Sequence, residues 1–230
     1  MKKLELMERS ALKNQEKEIY RTLRTNVEFT GIENQVIAVT SCMPDDGKTT
    51  VSFQLAAAFA ENGKKTLYID ADLRKSVFMN RYQVFGNPKG LSHYLSGQNL
   101  LEDILYETNR DNLWIVPVGK FPSNPTELFG KERFEVMLGC LRKQFDYIIV
   151  DTAPLGSVID AAVIAKKCDA SMLVVAADQT SRGFVKSVIS QLRAANPNFL
   201  GVVLNKIDVK NSGYYGKKYG SYYGNKYGRY

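Results

Sequence analysis

Six short runs rich in β-branched and aliphatic residues recur along this chain, at residues 36–41, 66–70, 113–118, 147–151, 171–176 and 200–204. Most are apolar without alternation, the pattern of strands covered on both faces in a parallel sheet. Helical patterns lie between them, over residues 48–61, 125–143, 158–166 and 182–194. The helix at 125–143 has a defined start, with Asn124 as cap, Pro125 at the first position and Glu127 three residues after the cap. Residues 15–29 predict one further helix ahead of the first strand. Repeated strand–helix alternation predicts an α/β fold built on a doubly wound, mostly parallel sheet with right-handed crossovers. At 230 residues the chain suits one such domain and buries an ample core.

The turn after the first strand carries the chemistry. It reads Cys42-Met43-Pro44-Asp45-Asp46-Gly47-Lys48-Thr49-Thr50 and opens a helix, the context of a P-loop. In such a loop backbone N–H groups and the helix N-terminus face phosphates, Lys48 reaches the β and γ oxygens, and Thr49 ligates Mg²⁺. Cys42 stands where the usual pattern has its first glycine. Asp45 and Asp46 put carboxylates beside a phosphate cradle, which is unfavourable unless they point outward or toward the metal. Two later strands also end in acid, in Asp70-Ala71-Asp72-Leu73-Arg74 and in Asp151-Thr152-Ala153-Pro154. Carboxyl ends of parallel strands line the ligand crevice, so Asp70, Asp72 and Asp151 fall on the edge that holds Lys48. Asp151 suits the Walker B role of holding Mg²⁺ through water. Asn205-Lys206-Ile207-Asp208 imitates a guanine-reading motif, but no Asp-x-x-Gly switch accompanies it. Asn205 is therefore read as adenine-contacting or structural, Asp208 as a turn residue, and ATP as the nucleotide.

Seven of the thirteen tyrosines lie in the last seventeen residues: Tyr214, Tyr215, Tyr219, Tyr222, Tyr223, Tyr227 and Tyr230. Glycine follows tyrosine with a period of four, four cations are interspersed, and the segment has neither acids nor aliphatic residues. Such a composition cannot offset its ordering entropy and predicts a disordered, solvated tail over 209–230. The tail supplies more than half of the formal charge of +7, leaving a nearly balanced body with no nucleic-acid-binding stripe. Three widely spaced cysteines and a single histidine, His93, support neither a disulfide framework nor a zinc site. Residues 1–14 lack the apolar core of a signal peptide, and no run approaches the roughly 20 apolar residues of a membrane span. A soluble cytoplasmic protein is expected.

The P-loop, the Asp70-x-Asp72-x-Arg74 and Asp151-Thr-Ala-Pro strand ends, and the tyrosine cluster together resemble the bacterial tyrosine kinases of capsule and exopolysaccharide loci. The chain looks like their split form from Gram-positive bacteria, in which the kinase is a separate soluble polypeptide. The resemblance covers essentially the whole chain and implies a P-loop NTPase fold over residues 1–208. It also implies that Lys48 and Thr49 hold the triphosphate and Mg²⁺ together with Asp45, Asp46, Gly47 and Thr50. Asp70 would receive the tyrosine proton while remaining ionised, Asp72 would support the metal site, and Asp151 would complete the coordination of Mg²⁺. Glu18, Arg21 and Arg24 match the family's oligomerisation motif, so the helix near 15–29 is expected to build a homo-oligomeric ring. The implied partners are a membrane polysaccharide co-polymerase that activates the kinase at the inner membrane face, a cognate tyrosine phosphatase and other protein substrates. Cys42, Asp45 and Ala153 depart from common family usage. A partitioning or regulatory ATPase on the same fold is the alternative, but it has no reason to carry a tyrosine tail and would use an extra P-loop lysine that 41–46 lacks. RNA stacking by the tail is another, without a basic stripe on the body to support it.

Overall fold

The apolar runs are strands of one sheet in the computed structural model, which describes residues 2–7, 13–31 and 33–207. In chain order the strands are β1 (Lys2–Leu4), β2 (Val36–Ser41), β3 (Thr66–Asp70), β4 (Tyr106–Thr108), β5 (Leu113–Val116), β6 (Tyr147–Asp151), β7 (Ala170–Ala176) and β8 (Phe199–Asn205). The helices among the described residues are α1 (Asn14–Glu28), α2 (Lys48–Glu61), α3 (Phe78–Arg81), α4 (Leu91–Leu95), α5 (Leu101–Ile104), α6 (Pro125–Gly130), α7 (Glu132–Arg142), α8 (Asp160–Ala165) and α9 (Arg182–Ala195). The strand order is β1-β4-β5-β3-β6-β2-β7-β8. Every neighbouring pair is parallel except β4 and β5, so the doubly wound, mostly parallel expectation holds with one antiparallel pair near an edge.

The central strands are buried along their whole length, which is why their sequences do not alternate. Helices cover both faces. On one face α1, α2 and α3 enclose Phe53, Phe59, Tyr68 and Phe78; on the other α4 to α9 enclose Phe129, Phe134, Leu141 and Leu192. Helix α2 is apolar around most of its circumference, as a helix wedged between sheet and α1 must be.

Three boundaries differ from the sequence reading. The helix expected over 125–143 breaks at Lys131, whose extended backbone (φ −69°, ψ 151°) ends α6 and starts α7. Five residues along a continuous helix are about 140° apart, so Phe129 and Phe134 would face different ways. The break, placed beside Gly130, lets both reach the core, where their rings meet edge to face at 5.4 Å. Strand β5 stops before Pro117, and the carbonyls of Pro117 and Val118 accept instead from Leu91 and Ser92 at the start of α4. Strands β1 and β4, each of three residues, are too short to register as apolar runs.

Phe53 anchors an aromatic cluster on the α2 face, with ring centroids 5.4 Å from Tyr68, 5.2 Å from Phe78 and 4.1 Å from Tyr82. Phe53→Ala is expected to lower unfolding stability by about 3–5 kcal/mol in urea denaturation, the range for emptying a buried aromatic site.

Candidate active site

The parallel strands β2, β3, β6, β7 and β8 deliver their carboxyl ends to one edge, and the residues singled out in the sequence gather there. Asp70 and Asp151 are register partners on β3 and β6. Lys48, at the first position of α2, is buried between them and the loop: its Nζ lies 2.9 Å from Asp151 Oδ1, 3.6 Å from Asp72 Oδ2 and 3.4 Å from Thr49 Oγ1. Burial alone would pull the Lys48 ammonium down, but Asp151 and Asp72 outweigh it and raise its hold on the proton. In the protein alone Lys48 thus faces carboxylates, the groups a bound phosphate would replace.

Asp70 has a different environment. It is fully buried, Ser76 Oγ donates to its Oδ2, and its Oδ1 has no hydrogen-bond partner. Burial and the neighbouring Asp151 push its carboxyl up to about 8, against the partial relief that Ser76 and Lys48 supply. The expectation of a plainly ionised Asp70 is therefore not met by the protein groups by themselves. The reason is burial first and the adjacent Asp151 carboxylate second, which Ser76 and Lys48 only partly offset.

The loop residues divide by task. Gly47 has φ 92° and caps α2 from the left-handed region, and a Cβ there would lie 2.1 Å from Asn205 Nδ2. Asp45 also takes a positive φ, 65°, and is exposed, so it points outward as the electrostatics required. Asp46 turns neither outward nor toward a metal. Its buried carboxylate accepts from the backbone N–H of Met43 at 2.8 Å and of Ala176 at 3.3 Å, bracing the loop against β7. Asn205 completes the brace by donating its amide to the Asp46 carbonyl at 2.9 Å, which favours its structural reading. Thr50 Oγ1 accepts from Arg81 at 2.7 Å rather than facing the loop's concave side. Cys42 has no positive φ and sends its side chain into the core, so the first glycine of the usual motif is dispensable here.

Two contributors escaped the sequence reading. Tyr68 donates its hydroxyl to Asp151 Oδ2 at 2.9 Å, leaving both Asp151 oxygens fixed, one by Tyr68 and one by Lys48. Burial beside Asp151 raises the Tyr68 phenol well above its usual range, so it stays a donor. Its one visible signal is a tyrosine between Leu67 and Ile69 in a buried strand. Ser76, six residues beyond Asp70, has no local signal at all. Arg74 clamps the β3 turn to α8 through Asp160, with contacts of 2.5 and 3.0 Å. The same turn is tightened by Asp72 Oδ1, which accepts from the N–H groups of Arg74 and Lys75.

These donors suit a divalent cation taken together with a nucleotide. Thr49, Asp72 and Asp151 offer hard oxygen ligands, and the unpartnered Asp70 Oδ1 lies in the same cluster. No three carboxylate, imidazole or thiolate side chains among the described residues converge as a free-standing metal cage. A Mg²⁺ ion taken up with a nucleotide needs only one or two carboxylates, phosphates and water filling the rest of its shell.

The proposed oligomerisation residues lie on α1. Glu18 and Arg21 are exposed and 3.5 Å apart, and Arg21 also lies 3.9 Å from Glu61. Arg24 is turned inward, 3.7 Å from Glu28 and donating to the Ala58 carbonyl at 3.2 Å, so it fastens α1 to α2. Asp208 and the seven tail tyrosines lie outside the described residues.

The chain matches the family model described as an AAA domain over residues 34–198. It is 43% identical over 224 residues to the tyrosine-protein kinase CpsD of Streptococcus agalactiae, covering 96% of this chain and 97% of that one. Among solved structures, the kinase domain of the Escherichia coli tyrosine kinase ETK superposes with a TM-score of 0.79 at 35% identity, over 83% of this chain and 75% of that one. The septum site-determining protein MinD of Pyrococcus horikoshii, solved with Mg-ADP, gives a TM-score of 0.64 at 24% identity, over 76% and 71% of the two chains. That last likeness is one of fold alone.

Tyr68→Phe removes the donor to Asp151 Oδ2 and leaves the aromatic cluster in place. Titration of Mg²⁺ in the presence of nucleotide is expected to show an apparent affinity about ten- to a hundredfold weaker, the usual cost of losing a group that orients a metal ligand.

Proposed function

The chain belongs to the bacterial tyrosine-protein kinases, and on that premise we propose that it transfers the γ-phosphoryl group of ATP to its own C-terminal tyrosines, between neighbouring copies. The observation that carries this reading is where β8 ends. Asn205 touches the P-loop, so the chain sets out toward the tyrosine cluster from the rim of the nucleotide site. The 26 residues from Asn205 to Tyr230 span about 25–30 Å root-mean-square as a flexible chain, enough to enter an adjacent copy's site.

The chemistry follows from the residues. Lys48 exchanges its carboxylate contacts for β and γ phosphate oxygens, which the loop N–H groups and the N-terminus of α2 also bind. Thr49, Asp72 and Asp151 would hold Mg²⁺, which neutralises charge on the transferring phosphoryl group. Tyr68 keeps Asp151 in place for that task. Asp70 accepts the proton of the acceptor tyrosine. A new bond joins the phenolic oxygen to the γ-phosphorus, the bond from that phosphorus to the bridging oxygen breaks, and ADP leaves with the electron pair. A phenol with a pKa of about 10 is a weak nucleophile at neutral pH, and a base tuned near the operating pH serves it best. Ser76 orients the Asp70 carboxylate through its hydrogen bond.

The reading places the protein in capsule or exopolysaccharide polymerisation and export, at the cytoplasmic face of the membrane. No helix among the described residues is long and apolar enough to cross a membrane. The reading assigns docking there to an activating membrane co-polymerase. Glu18 and Arg21, exposed on α1, suit contact with a neighbouring copy in a ring. Each phosphate adds about −1.5 to −2 charges, and seven would take the tail from +4 to about −6 to −10. Repulsion between tails and from the acidic site then loosens the ring, and a cognate tyrosine phosphatase restores it.

Asp70→Asn is expected to retain ATP binding and lose phosphotyrosine formation by about 10²–10⁴-fold in rate, read by anti-phosphotyrosine signal against time. Autophosphorylation at the native rate would remove Asp70 from the mechanism. Light scattering before and after full phosphorylation is expected to show a fall in mass toward the monomer. An unchanged mass would contradict the charge-driven release.

A further inference from the structure

A second cavity opens on the same sheet edge, beside Asp70. It encloses about 510 Å³, and Ser76, Met79, Lys89, His93, Lys120 and Phe121 are among the residues that line it. The wall is shared: Ser76, which borders this cavity, is the residue whose hydroxyl donates to Asp70. Its electrostatics are opposite to those of the nucleotide site. No carboxylate lines it, and neither Lys89 nor Lys120 forms an ion pair among the described residues. Both cations lie near enough to His93 to help burial lower its proton affinity. Phe121, 57% exposed, and Met79 supply an apolar flank beside the two ammonium groups.

We propose that this cavity binds a phosphotyrosyl side chain of an already modified tail, and so feeds the next tyrosine to Asp70. This deepens the reading of the chain as a kinase acting on its own tail and rests on it. A dianionic phosphate ester on an aromatic ring needs an apolar wall for the ring and cations for the phosphate, the combination found here. The volume lies within the range of ordinary small-molecule sites. Asp70, Asp72 and Asp151 repel the product from the place where it is made, and Lys89 and Lys120 attract it to the adjoining one. The repeat of the tail supplies the spacing. Four extended residues cover about 13 Å, so a phosphotyrosine seated in the cavity leaves the next tyrosine of the repeat within reach of the neighbouring site.

The test uses the full chain, treated with phosphatase, and a synthetic peptide of residues 214–224 with phosphotyrosine at position 219. The phosphopeptide is expected to bind at least tenfold more tightly than the unmodified peptide, and more tightly than inorganic phosphate. The double variant Lys89→Gln, Lys120→Gln changes two exposed side chains. It is expected to lower phosphopeptide affinity at least tenfold, to leave the rate of the first phosphorylation unchanged, and to reduce the number of phosphates per chain at a fixed time. Equal binding of the modified and unmodified peptides, phosphopeptide binding no tighter than inorganic phosphate, or phosphopeptide binding unaltered by the double variant, would overturn the proposal. Peptide binding requires no catalysis, so its failure is distinguishable from failure of the kinase reading. A chain that phosphorylates its tail but does not discriminate between the peptides overturns the cavity's role alone.

Discussion

Three carboxylates and one ammonium are buried together at the sheet edge, and that imbalance organises the site. Asp151 and Asp72 hold Lys48, and the excess falls on Asp70, whose carboxyl burial and Asp151 push up to about 8. An isolated buried charge is costly, and removing one partner of a buried pair leaves the other uncompensated at about 3–5 kcal/mol. Removing one member of the Lys48 pairs is therefore costly, and the cluster carries surplus negative charge that a divalent cation would relieve. The same surplus favours a cationic, unmodified tail over an anionic, phosphorylated one. On the proposed function, nucleotide binding, metal binding and product release would all draw on one electrostatic feature.

The loop that carries Lys48 is held from behind. Asp46 accepts two backbone N–H groups, one from its own loop and one from β7, and Asn205 at the end of β8 bonds its carbonyl. Two strands distant in the chain, β7 and β8, thus help to fix one turn. A carboxylate that would repel phosphate is spent on bracing, and the concave face is left to N–H groups and to Lys48. The Asn205 amide, 2.1 Å from where a Cβ would stand, and the left-handed backbone at φ 92° each favour glycine at the cap.

Much of this was legible in the chain itself because parallel strands impose a rule: what ends one strand lies beside what ends the next. The strands β2, β3 and β6 were read with their observed limits, and Lys48, Asp70, Asp72 and Asp151 meet as that rule requires. Contacts made by side chains across the sheet were not legible. The Tyr68 hydroxyl, the Ser76 hydroxyl and the Arg74–Asp160 clamp depend on which atoms meet in three dimensions, and spacing along the chain carries no trace of them. The upward shift of the Asp70 carboxyl was missed for the same reason, since it comes from burial and from the Asp151 carboxylate beside it. The break at Lys131 was hidden because each half of the segment has helical character, and the requirement that Phe129 and Phe134 both be buried emerges only once the core exists.

The central claim is that the Lys48-centred cluster phosphorylates the tyrosines that follow β8. Mass spectrometry of the purified full chain incubated with Mg-ATP tests it most directly, with the Lys48→Met chain, verified as folded by circular dichroism, run alongside. The account predicts multiple phosphates confined to the cluster between Tyr214 and Tyr230 in the native chain, and none in the variant. Phosphate absent from those tyrosines in the native chain, or present on them at the same level in the Lys48→Met chain incubated alone, would contradict it.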